Sequence, residues 1–143
     1  MALVSVKIID YGICEPTGVT TKDQNSNSPT GHFLHSDDIK FSKKTDEFSV
    51  QRGLSFGISY QLETANKEEE IVDFICRISH PTLTNSDTNE QHNETIEAKD
   101  GWSNELGFDF YSFEFDWELQ RGKWTFEIIS NQQVMCCKTF TLN

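Results

Sequence analysis

The chain has 143 residues, the length of about one domain. It is 36% hydrophobic with 11 Phe, enough apolar surface to build a core and too much for a disordered chain. Its 12 Lys and Arg stand against 23 Asp and Glu, a net charge of −11, and a surface of that sign repels phosphate; neither nucleic acid nor an anionic membrane is expected as a partner.

Strand signals run from end to end. Val4, Val6 and Ile8 alternate with Ser5, Lys7 and Ile9 as an opening strand, continuing toward Tyr11 and Ile13 with a change of register. Residues 15–31, rich in Thr, Asn, Ser, Gly and Pro, read as a long polar loop. Residues 32–50 carry Phe33, Ile39, Phe41, Phe48 and Val50 and predict two short strands. Phe56, Ile58, Tyr60 and Leu62 share one face of the next strand. Val72, Phe74, Cys76 and Ile78 share a face of the one after it. With the charged turn at 64–70 between them, these two read as a hairpin within one sheet. Pro81 is expected to end the second strand, because proline cannot donate to a ladder. Residues 82–93 follow as a second polar loop, 94–99 as a short edge strand and 101–107 as a turn carrying Trp102.

Phe108 and Phe110 lie in one phase, whereas Tyr111, Phe113, Phe115 and Trp117 lie in the other, which predicts a β-bulge between them. Ser112, Glu114, Asp116 and Glu118 then form a solvated acidic face that deters edge pairing. The last hairpin is the sharpest signal. A turn at Gly122 feeds a strand that points Trp124, Phe126 and Ile128 inward. Asn131-Gln132 makes a tight turn, and Val134, Cys136 and Phe140 return as the closing strand. The expectation is a single domain over 1–143, an all-β antiparallel sandwich of immunoglobulin-like or fibronectin type, with about seven to nine strands. Trp124, Phe126, Phe56, Ile58, Phe74 and Cys76 are its predicted core.

The segment from Met1 to Asp10 alternates like a strand and lacks the apolar run of a secretion leader. Cys14, Cys76, Cys136 and Cys137 show no C-x-x-C spacing and read as free thiols. Both features predict a cytoplasmic location.

The stretch Leu-x-x-Gly-x-Trp-x-Phe-x-Ile at 119–128 looks like the penultimate strand of many Ig-like and fibronectin-type modules. Four stretches taken in order, VSVKIIDYGI at 4–13, GLSFGISY at 53–60, SHP at 79–81 and GKWTFEI at 122–128, resemble the bacterial family known as domain of unknown function 3859. The resemblance implies an Ig-like sandwich without an assigned activity, and it supplies no catalytic residues.

No residue pattern reaches the strength of a catalytic signature. The serines and cysteines show no nucleophile elbow, and Glu114, Asp116 and Glu118 read as solvated rather than as paired catalytic carboxylates, so an enzyme is not expected. His32 and His35 sit three apart and face opposite sides of a strand, away from zinc spacing. Asn85, Asp87, Asn89 and Glu90 lack the glycine and terminal Glu of an EF-hand. Neither a metal nor a cofactor is expected. The candidate binding residues are Trp102, His80, Tyr111 and Tyr60. Trp102 and His80 fall in predicted loops, where a rigid scaffold presents binding groups; His80 also reads as a cap that fixes its loop. Two functions follow. One is a non-catalytic module for an unknown protein partner or an identical subunit. The alternative is a small-molecule or carbohydrate-binding domain, which requires a concave pocket lined by Trp102, Tyr111 or Tyr60 with His80 nearby.

Overall fold

The computed structural model describes residues 3–66 and 68–143; Met1 of the opening segment and Lys67 of the charged turn lie outside the described residues. The strands are β1 (Leu3–Gln24), β2 (His32–Lys43), β3 (Glu47–Phe48), β4 (Ser55–Thr64), β5 (Ile71–Thr84), β6 (Gln91–Trp102), β7 (Leu106–Ser112), β8 (Gly122–Ser130) and β9 (Gln133–Leu142). One 3-10 turn, Asp116–Glu118, precedes β8. The strands form two sheets, one ordered β2-β1-β4-β7 and the other β3-β9-β8-β5-β6. All pairings are antiparallel except the two-residue β3–β9 contact. This is the expected Ig-like sandwich.

Alternation places the inner faces. Phe56, Ile58, Tyr60 and Leu62 of β4 face Val72, Phe74, Cys76 and Ile78 of β5 and Trp124, Phe126 and Ile128 of β8, and all are buried. All six predicted core residues belong to this set. Phe56 is the aromatic hub, with ring centroids 5.7 Å from Phe113, 5.8 Å from Trp124 and 5.2 Å from Phe140. Asn131 and Gln132 both take positive φ in the tight β8–β9 turn, as that turn's twist demands.

Several expectations are corrected. β4 and β5 are not one hairpin: they sit in opposite sheets. Two strands with inward apolar faces satisfy the same alternation whether they share a sheet or face each other. The loop predicted at 15–31 is mostly strand. β1 pairs with β4 over Leu3–Cys14 and with β2 over Ile13–Gln24, so its polar second half forms a two-stranded arm with β2, and only residues 25–31 turn. The loop predicted at 82–93 shrinks to 85–90, because β5 continues through Pro81 to Thr84. The β5–β6 ladder shifts register between Ser79 and Leu83, and such an irregularity accommodates a residue without an N–H. The change of register expected in β1 is present between Ile8 and Asp10; a further shift between Leu3 and Ser5 turns Val4 outward.

No bulge separates Phe110 from Tyr111: β7 pairs with β4 in unbroken register from Leu106 to Ser112. The inward phase is therefore Gly107, Asp109, Tyr111 and on to Phe113, and an acid stands in the core-facing row. Glu118 is corrected too. It leaves the strand for the 3-10 turn and is fully buried rather than solvated.

Candidate functional site: a cavity between the sheet edges

β6 and β7 are the edges of their sheets and are joined directly by residues 103–105. Between them the inner faces do not close. Gly101 stands in the inward row of β6 and Gly107 in that of β7. A Cβ on Gly101 would lie 3.0 Å from Leu62, and one on Gly107 2.7 Å from the Tyr60 ring. Leu62 and Tyr60 pack directly over these two positions and leave no room for a Cβ; beside them lies a cavity of about 320 Å³, at the small end of ordinary ligand pockets. Tyr60, Leu62, Phe74 and Ile78 supply apolar wall.

The arm covers its outer side. Residues 32–36 of β2, together with Ser28 and Thr30, line the cavity. The arm's tip is tied to the far sheet: Asn85 Nδ2 donates to the Pro29 carbonyl at 3.0 Å. His35 clasps the middle, its Nδ1 bonded to Asp23 on the arm and its Nε2 to Glu97 on β6. His32 Nε2 meets Glu114 at 2.9 Å. Burial pulls the His35 pKa down, but its bonds and charge attraction to Glu97 and Asp23 outweigh that and hold it above its ordinary 6.5.

Deeper in the cavity lies a polar cluster inside an apolar shell. Lys99 Nζ donates to Asp109 Oδ1 at 2.7 Å and to the Phe108 carbonyl at 3.1 Å. Tyr60 donates its hydroxyl to Asp109 Oδ2 at 2.7 Å. The Asp109 side chain is 6% exposed and that of Lys99 22%. Burial alone would lower the Lys99 pKa; the Asp109 charge and hydrogen bond reverse that and hold it above 10.5. Burial raises the Tyr60 hydroxyl, and Asp109 adds to the effect. Glu118 is buried against the other end. Its Oε1 accepts the backbone N–H groups of Glu114 and Phe115, each at 2.9 Å, and Tyr111 donates its hydroxyl to Oε2. Burial raises the Glu118 pKa against the pull of these bonds.

The cavity brings together three of the four candidate residues. Tyr60 and Tyr111 are buried beside it, and Trp102 is at its border, 48% exposed and paired across the ladder with Ile71. His80 does not line it. It sits behind Thr95, which does: Nδ1 bonds the Pro81 carbonyl and Nε2 the Thr95 hydroxyl, both at 2.9 Å. A carbonyl only accepts, so Nδ1 carries the proton. Burial lowers the His80 pKa, against the pull of its bond to the Pro81 carbonyl. Sequence reading missed Lys99, Asp109, Glu97, His35 and Glu118. The signal for Asp109 was its phase with Tyr111 and Phe113, hidden once a bulge was assumed.

Among the described residues, no group of three or more His, Cys, Asp or Glu could hold a metal ion, and no helix is long and apolar enough to cross a membrane. The Asn85–Glu90 segment is a turn closed on itself, with the Asp87 N–H donating to Asn85 Oδ1 at 2.9 Å. All four cysteines are free thiols.

No curated protein matches the chain by sequence. Its structure is similar to a crystal structure of an immunoglobulin-like protein from Pseudomonas aeruginosa, with a TM-score of 0.67, 19% identity and full coverage of both chains. A weaker likeness, with a TM-score of 0.44 and 9% identity, covers 68% of this chain and 28% of the DNA-bound alkylpurine DNA glycosylase AlkC of Pseudomonas fluorescens. The first likeness agrees in fold with the two-sheet architecture described above. Residues 3–142 match the family described as a domain of unknown function, DUF3859, and the chain belongs to that family.

Proposed function

We propose that this protein is a non-catalytic binding domain that takes a small, largely apolar molecule into the cavity between β6, β7 and the β1–β2 arm. The observation that carries this reading is a buried Lys99–Asp109–Tyr60 cluster at one otherwise largely apolar cavity. Ligand pockets have this composition: apolar walls and a few fixed polar groups. A domain selected for stability alone would fill the gap with side chains, because unfilled volume and buried ion pairs both cost free energy. Leu34 is a half-buried lining residue on the arm, so Leu34→Trp puts a larger side chain at the cavity wall. Wild-type protein is expected to give saturable NMR shifts at cavity amides with small aromatic ketones, and Leu34→Trp to weaken them at least about tenfold. Equal shifts in both proteins would place binding elsewhere and sink the reading.

A second reading, a surface for a protein partner or an identical subunit, is favoured by one observation. Trp102 and Ile71 are adjacent and 48% and 55% exposed, and exposed aromatic anchors mark interfaces. Under this reading Trp102→Ala lowers the sedimentation coefficient or abolishes partner capture while leaving the fold intact. An unchanged profile in both assays removes it.

A further inference from the structure

Resting on the cavity-binding reading above, we infer that the ligand is an uncharged molecule presenting a carbonyl or similar hydrogen-bond acceptor to Lys99. Lys99 is neutralised by Asp109. Glu97 is paired with His35, and Glu114 lies 2.9 Å from His32 and 3.9 Å from Lys22. Glu118 spends both oxygens on Tyr111 and two backbone N–H groups. The remaining lining acids, Asp100 and Glu105, are exposed to solvent at the mouth. Each buried carboxylate and the Lys99 ammonium is already engaged within the protein, so none stands free to pair a charged ligand, and burying an unpaired ion costs several kcal/mol. An anion would also meet Asp109, Glu97 and Glu118. A cation would meet the Lys99 ammonium.

One donor remains. An ammonium has three N–H bonds; among the described residues Lys99 uses two, to Asp109 and to the Phe108 carbonyl. Its side chain lines the cavity and is 22% exposed. A neutral acceptor takes the third N–H without disturbing the Asp109 pair, and the walls cover the rest of the molecule.

Four near-isosteric probes separate the cases: benzylacetone (neutral acceptor), hydrocinnamate (anion), phenylpropylamine (cation) and butylbenzene (no acceptor). Dissociation constants come from NMR titration of the intact protein. Benzylacetone is expected to bind at least about tenfold more tightly than each of the other three, a difference of about 1.4 kcal/mol. Lys99→Met alone strands a buried carboxylate and risks unfolding, so the variant is the double change Lys99→Met with Asp109→Asn, which removes both charges. It should bring benzylacetone down to the affinity of butylbenzene. Three results overturn the inference and leave the cavity reading standing: a charged probe that binds best, butylbenzene that matches benzylacetone in wild type, or a double variant that keeps the benzylacetone preference. If none of the four shifts a cavity amide up to its solubility limit, the cavity reading falls and the inference with it.

Discussion

The two halves of this sandwich solve the same packing problem differently. Around Phe56, Trp124, Phe126 and Phe140 the inward positions are dominated by rings and branched chains, and all four residues are fully buried. Between β6 and β7 the inward positions are Thr95, Glu97, Lys99 and Gly101 on one edge and Gly107, Asp109 and Tyr111 on the other. The first half is held by apolar burial and dense contact. The second is held by hydrogen-bonded charges and an overlying arm, and it leaves room. One fold thus carries a rigid closed end and a polar open end, and the polar residues stand where an apolar side chain would have stabilised more.

This comparison can be broken by mutation. The largest effect is expected at Trp124→Ala, which removes a fully buried indole from the closed end and should cost about 3–5 kcal/mol. Urea unfolding measures it, and a loss under about 1 kcal/mol would mean that Trp124 is no anchor. At the open end, Lys99→Met should cost about 3 kcal/mol, because Asp109 is left as an uncompensated buried charge. Adding Asp109→Asn should restore most of that loss. If the double variant is as unstable as the single one, the pair is needed for packing and not for charge balance.

The smallest effect is a pH dependence at the clasp. The His35 pKa is raised in the folded chain above its ordinary 6.5. Its contribution is therefore complete below about pH 6.5 and is lost as pH rises through the folded value. His35→Ala should lower the melting temperature at about pH 5.5 and leave it nearly unchanged at about pH 9. His80 acts in the opposite sense. Its pKa is lowered by burial, so its contribution is present above about pH 6.5 and declines as pH falls. A His35→Ala deficit that grows with rising pH would show that the Asp23–His35–Glu97 contact is not the protonated clasp described above.

What the sequence by itself determined is what rests on period-2 alternation and on turn chemistry. Trp124, Phe126 and Ile128 point inward because neighbours in a strand face opposite sides. Asn131-Gln132 turns because a tight hairpin asks for positive φ. Both are local, and both are visible in a window of ten residues. Tyr60 and Tyr111 were legible as aromatics within that pattern, whereas Trp102 and His80, expected in loops, lie within the longer strands β6 and β5, whose ladder partners extend them past the predicted ends. The tertiary structure alone decided which sheet each strand joins, since alternation is the same for a strand beside β4 and one facing it. It decided that polar residues 15–24 extend as strand, because β2 supplies their ladder partners. It decided the identity of the site as well. Lys99 and Asp109 are ten residues apart on the edges of different sheets, and an isolated charge in a sequence reads as solvated until the fold brings its partner within 2.7 Å. Pairing across the sandwich is non-local, and it is this pairing that turns two surface-like residues into the lining of a partly buried cavity.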